Sequence, residues 1–302
     1  MDGYIRAIAA FRHADLTIAY TEHGAGRRTV VLIHGLLLSQ RMHEPLARRL
    51  AARGNHVVTI DLLGHGRSDR PSDPSRYSTA LFAEQVVALL DHLGIDEAVI
   101  FGTSLGANTA LEVCDLAPAR VRGMVIEMPV LDQALIACLI AFGPLMIGLT
   151  FAQPVARLAS LAARAVPHRL LPFWGDIALD TIRQDPVPSA AVLRGLFFGR
   201  VAPGPAQRRA MLAPTLVVGH RRDPVHPLTD AGALADELPD GRLLEANSLV
   251  ELRLTPDRLT TQIAAFLDEC WKPTPSAGSR RAAAVGAGAR PGHPDASRDG
   301  AG

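Results

Sequence analysis

Short β-branched runs that end at or beside a glycine alternate along this chain with segments of helical spacing. No other feature restricts the fold as strongly. "TVVLIHG" (29–35) and "HVVTIDLLGHG" (56–66) are continuous apolar runs of the kind that suits strands buried on both faces. "EAVIFGTSLG" (97–106), "RVRGMVIEMP" (120–129), "APTLVVGHRRDP" (213–224) and "GRLLEAN" (241–247) repeat the form, and "DLTIAYTEHG" (15–24) reads as an earlier strand. Between them, "EPLARRLAARG", "TALFAEQVVALLDHLG" and "ANTALEVCDLAP" carry apolar residues at helical spacing, and Gly54 and Gly94 stand where helix C-caps are expected. A last helix starts near Pro256 and buries Leu259, Ile263, Phe266 and Leu267. Alternation of this kind predicts an α/β fold, with a mostly parallel central sheet covered by helices on both faces.

One long region breaks the pattern. From about residue 130 to 213 the chain is helical, apolar and punctuated by proline, with no clear strand, and reads as a cap inserted after the strand ending near Glu127. The expected organisation is a core at 1–129 and 214–271, a helical cap at 130–213 and a disordered tail at 272–302. The tail is rich in Ala, Gly, Pro, Ser and Arg and has too few large apolar residues to offset the entropy of ordering. Residues 133–156 carry no charge and are long enough to raise a membrane-spanning reading. A span would interrupt the sheet order, and Gly143-Pro144 would break it near its centre. Two short cap helices, at about 131–142 and 144–163, are expected instead. They would line an apolar pocket or make peripheral contact with a membrane surface.

Composition excludes some classes. With 31 basic and 30 acidic residues there is no electrostatic footprint for nucleic acid. Three cysteines (Cys114, Cys138, Cys270) lack metal-ligand spacing and are too few for a disulfide framework. The first residues, "MDGYIRAIAAFRHAD", do not read as a signal peptide. The expectation is a cytoplasmic protein with no cofactor and no metal.

The chemistry gathers at strand ends, where open α/β sheets place their sites. Gly102-Thr103-Ser104-Leu105-Gly106 matches G-x-S-x-G between an apolar strand and a helix, the context of a nucleophile elbow. The plainer reading is a glycine-rich turn of no catalytic meaning, and the strand–turn–helix setting argues against it. Together with His34-Gly35 and "DLLGHGRSDRP" (61–71), the motif resembles the α/β-hydrolase superfamily. More narrowly, it resembles the capped, ester-hydrolase-like members, over about residues 16–267. The resemblance implies Ser104 as nucleophile and the backbone N–H groups of Leu36 and Leu105 as oxyanion hole, with His34 bracing its loop. "LVVGHRRDP" resembles the family's strand followed by Gly-x-x-x-Asp, which implies Asp223 as the acid. Glu127 is the alternative acid, since some members place theirs at that strand end.

The base departs from the family pattern. Members normally carry a histidine between the last strand and the final helix, but "GRLLEANSLVELRLTPDRL" has none, and Ser248 or Leu249 stands in its place. Two readings follow. In one, His226 is the base, with His220 a weaker candidate because it follows its strand too closely. If the three-residue spacing keeps Asp223 and His226 out of one relay, Glu127 becomes the orienting acid. In the other, the triad is incomplete and the chain is a non-catalytic or weakly catalytic ligand-binding protein. The expected substrate is a small carboxylic ester or related acyl compound with an apolar portion.

Overall fold

The computed structural model describes residues 8–272. Eight strands form one sheet: β1 (Ala9–His13), β2 (Leu16–His23), β3 (Arg28–Ile33), β4 (Asn55–Ile60), β5 (Ala98–Thr103), β6 (Val121–Glu127), β7 (Thr215–His220) and β8 (Gly241–Ala246). Their order across the sheet is β1-β2-β4-β3-β5-β6-β7-β8. β1 and β2 are antiparallel to each other, and β2 is antiparallel to β4. From β4 to β8 every pairing is parallel. The apolar runs explain this: Val30, Val31, Leu32 and Ile33 of β3 are wholly buried, as are Val99, Ile100 and Phe101 of β5. Strands of that kind need cover on both faces.

The cover comes from α1 (Glu44–Ala51), α2 (Thr79–His92) and α3 (Leu105–Leu116), and later from α9 (Leu228–Glu237) and α11 (Asp257–Cys270). Every residue of α3 from Leu105 to Cys114 is buried. α11 buries Leu259, Ile263, Phe266 and Leu267, the four expected from spacing. β1 has no counterpart in the sequence reading. It is joined to β2 by a tight turn at Ala14 and Asp15, both with positive φ (47° and 65°). Hairpin turns of that shape are usually signalled by Asn-Gly or Asp-Gly, and this one is not.

Between β6 and β7 the described chain holds no strand. It runs through α4 (Ala134–Phe151), α5 (Gln153–Ala165), α6 (Phe173–Arg183), α7 (Pro186–Phe197) and α8 (Pro205–Arg209). The expected break at Gly143-Pro144 is absent: α4 is continuous, with Pro144 inside it. The helix ends instead at Ala152, and Pro154 falls in the first turn of α5, where its missing N–H costs nothing. α7 returns to the body of the fold and buries Ala190, Ala191, Val192 and Leu193. It packs so closely that a Cβ on Gly195 would lie 2.4 Å from the Pro74 carbonyl oxygen. The tail expected to be disordered lies, from residue 273 onward, outside the described residues.

The segment after β4 ties the sheet to the helices above it. The Asp61 carboxylate accepts from the backbone N–H of Gln40 (2.7 Å) and Arg67 (3.0 Å) and from the Gln40 amide (2.9 Å). It fills the space over Gly66, where a Cβ would collide with it at 2.0 Å. Asp69 and Ser68 accept from the N–H groups of Thr17 and Ala19, pinning the same loop to β2. "GHGRSD" is therefore architecture beneath the helical insertion.

Candidate active site

The parallel strands end along one edge of the sheet, and four of them deliver strained backbone there. Among the described residues, six non-glycine residues have positive φ, and four lie just past β3, β5, β6 and β7: Leu37, Ser104, Met128 and Arg222. Such conformations cost of order 1–3 kcal/mol each and persist only where the surroundings enforce them. Ser104 sits at φ 54° and ψ −112° between β5 and α3. The flanking glycines allow the turn: a Cβ on Gly102 would lie 1.9 Å from the Gly106 oxygen, and one on Gly106 would lie 2.2 Å from the Ile33 oxygen. The turn lifts the serine hydroxyl off the sheet at the N-terminus of a helix.

The loop after β7 meets it. Ser104 Oγ lies 2.9 Å from His226 Nε2. His226 Nδ1 lies 2.9 Å from Asp223 Oδ2. The other carboxylate oxygen, Oδ1, accepts from the backbone N–H of Val225 (2.8 Å) and His226 (2.9 Å). This turn lets acid and base share one short loop. The carboxylate closes a three-residue ring with the chain, and the imidazole folds back over it. With Nδ1–H donated to Asp223, Nε2 is left to accept the Ser104 proton. Burial alone would raise the Asp223 carboxyl, but its hydrogen bonds to His226 outweigh that and hold it below the usual range. The three groups form a relay able to carry a proton away from Ser104.

Glu127 stands elsewhere. Its Oε1 meets His220 Nε2 at 3.1 Å, and its Oε2 accepts from Thr103 Oγ1 at 2.6 Å and Arg253 Nη2 at 2.7 Å. Both oxygens are occupied and neither touches His226, so the geometry does not make Glu127 the orienting acid. His220 also accounts for both its nitrogens, because Nδ1 faces the Ser248 carbonyl at 2.9 Å. Neither nitrogen is left for Ser104. Ser248 and Leu249, which stand in the place of the usual histidine, are exposed ahead of the short helix α10 (Glu251–Leu254) that carries Arg253.

His34 is fully buried. Its Nδ1 donates to the Gly35 carbonyl at 2.8 Å, and its Nε2 accepts from the Leu62 N–H at 3.1 Å. It braces the loop and holds no free nitrogen for catalysis. Leu36 and Leu105 line, with Ser104, a cavity of about 330 Å³ whose remaining wall is mostly apolar, with Leu135, Leu139 and Phe142 of α4 on one side. Asn108, one turn along α3 from Ser104, bonds the Val130 and Val201 carbonyls and the Val130 N–H, fastening both ends of the helical insertion beside the nucleophile. Asp230 does the same from α9, accepting from the N–H groups of Leu131, Gln133 and Ala134 at the start of α4. Nothing in the sequence distinguished Asn108, Asp230 or Arg253 from ordinary helix residues.

His168, Asp176 and Asp180 approach one another within 4.8 Å, a spacing a cation could use. Two guanidinium groups already occupy the carboxylates: Arg183 bonds Asp176 (2.6 Å) and Asp180 (2.8 Å), and Arg41 bonds both. The cluster is charge-balanced by side chains.

The Glu127–His220–Arg253 cluster makes stability depend on pH. Burial works to raise the Glu127 carboxyl, but Arg253 and His220 hold it below its ordinary 4.5. Burial works to lower His220, and the bond to Glu127 reverses that, raising it above 6.5. A depressed acid adds stability that is complete above its unfolded value and lost as pH falls. A raised base adds stability that is complete below its unfolded value and lost as pH rises. The cluster therefore contributes most between about 4.5 and 6.5. Melting curves against pH should show wild type losing more than His220→Gln as pH rises above about 6.5. Parallel curves would contradict the assignment.

A family model described as the α/β hydrolase fold matches residues 28–248. The chain belongs to the α/β hydrolase fold family. Among curated relatives it is 34% identical over 114 residues to a zearalenone hydrolase of Cladophialophora bantiana, covering 36% of this chain and 42% of that protein. It is 29% identical over 116 residues to a proline iminopeptidase of Heyndrickxia coagulans, covering 38% and 40%. The matches span about two-fifths or less of the first curated relatives' length. Among solved structures, the enol-lactonase of Burkholderia xenovorans LB400 superposes with a TM-score of 0.70 at 18% identity, over 86% of this chain and all of that one. These relatives differ in the substrates their names give, so the α/β hydrolase fold is shared while the substrate is not.

Proposed function

We propose that this α/β hydrolase cleaves carboxylic esters, or related acyl compounds, that have an apolar portion. One observation carries the reading: Ser104 Oγ, His226 and Asp223 are joined by two 2.9 Å contacts at the foot of an apolar cavity. Ser104 Oγ attacks the carbonyl carbon while its proton passes to His226 Nε2. The N–H groups of Leu36 and Leu105, on two different strand ends, receive the oxyanion. Collapse expels the alcohol, which takes the proton from His226, and water then repeats the sequence on the acyl-enzyme. Asp223 holds the imidazole in the needed tautomer throughout.

The test is labelling by a fluorophosphonate probe, which needs an activated serine. Wild type should label and Ser104→Ala should not. Wild type that stays unlabelled, with no turnover of short activated esters, would favour a binding protein that uses the same pocket.

The cavity makes a chain-length prediction. Leu139 lines the cavity beside Ser104, whereas Leu145 lines a separate apolar groove between α4 and α5. Leu139→Asp should lower kcat/KM for long acyl chains by about tenfold or more relative to acetyl esters, since a charge on the cavity wall opposes the passage of an apolar chain. Leu145→Asp should spare the ratio. Equal loss at all chain lengths in Leu139→Asp would show that the residue is only structural.

A further inference from the structure

We propose that the outer side of α4 and α5 docks on an anionic lipid bilayer. α4 is apolar all round, with a mean hydropathy of 2.3, yet only Ala134 and Gly143 of its 18 residues are buried. A helix apolar on every side belongs in a protein core or in lipid. Leu135, Leu139 and Phe142 face the cavity beside Ser104. Away from it, Ile136, Ile140 and Ile147 are 70%, 71% and 57% exposed. α5 adds Leu158 and Leu161, and the groove containing Leu145, Leu149 and Val155 joins the two helices into one apolar surface. A patch of this extent marks an interaction site.

Charge selects the occupant. From residue 133 to 175 the chain has no acidic side chain but has Arg157, Arg164 and Arg169, all exposed. An apolar helical face bordered only by arginines matches a membrane with negative headgroups. A second copy fits poorly, because a two-fold interface would bring these arginines together with no carboxylate in the segment to pair them. The helices lie on the bilayer and do not cross it. The start of α4 is held by Asp230, and α7, which follows, is buried in the core, so the chain enters and leaves the segment on the same side.

Docking is independent of the reading of Ser104; delivery of lipid-borne acyl chains to the cavity rests on it. The full chain is sedimented with phosphatidylglycerol–phosphatidylcholine vesicles and with phosphatidylcholine alone. Wild type and Ser104→Ala should bind the anionic vesicles equally, and neutral vesicles about tenfold less. The paired substitution Ile140→Glu, Leu158→Glu should lose about tenfold or more in binding yet keep turnover of a short soluble ester. Arg157→Gln and Arg169→Gln, which leave the apolar face intact, should each weaken anionic binding about fivefold. Binding to neither vesicle, binding unchanged in all these variants, or a wild-type dimer that the paired substitution dissolves would each overturn the proposal.

Discussion

His226→Ala is expected to lower turnover of a short activated ester by about 10²–10⁴, the usual range for loss of a general base. Combining it with Ser104→Ala should cost little more than Ser104→Ala alone, because groups that act as one relay are not additive. The pH dependence separates a chemical role from a structural one. Removing the imidazole removes the group that accepts the serine proton, so the pH–rate profile of His226→Ala should differ in shape from that of wild type. Asp223→Asn should also be impaired, since Oδ2 is the only acceptor given to His226 Nδ1 among the described residues. Glu127→Gln should leave the pH–rate profile in place, because Glu127 does not touch His226. A pH–rate profile unchanged in His226→Ala would eliminate it as the base.

Glu127→Ala is expected to cost about 3–5 kcal/mol of stability, the range for removing one partner of a buried ion pair. Glu127 is fully buried, and its loss would strand His220, which is also buried, together with Arg253 and the Thr103 hydroxyl. Both His220 nitrogens face acceptors, and the Glu127 carboxylate favours the charged ring. Glu127→Gln keeps the shape and loses only the charge, so it should cost less. Urea unfolding monitored by circular dichroism measures both, and a midpoint for Glu127→Ala within error of wild type would refute the cluster's role. The same substitution should loosen the link from β8 to α11, since Glu127 anchors Arg253 of α10 within it.

Much of this was legible in the chain. The wholly buried strands announced a covered parallel sheet because only a strand with helices on both faces can be apolar at every position. The elbow was legible because Gly102 and Gly106 are dictated by local sterics, as is the strained φ of Ser104. Asp223 as the acid and Leu36 and Leu105 as oxyanion donors were expectations of the family resemblance; the structure brings Asp223 to His226 and sets Leu36 and Leu105 beside Ser104 in the cavity wall. β1 was missed for a local reason: its turn at Ala14-Asp15 lacks the usual residues. The continuity of α4 through Pro144 was missed because propensity penalises proline without knowing where the helix will pack.

What tertiary structure alone decided is which side chains meet. The sequence named His226 by exclusion and could not tell whether it shared a relay with Asp223 or left that task to Glu127. The answer depends on the turn in which Asp223 Oδ1 collects two backbone N–H groups and leaves Oδ2 for the ring. It depends equally on β7 lying two strands from β5, so that its loop reaches over Ser104. Arg253 and His220 claim Glu127 from elements 126 and 93 residues away along the chain. Periodicity and turn chemistry are set by neighbours in sequence, so they can be read from it. An ion pair or a proton relay is set by where separate strands end, and only the folded sheet fixes that.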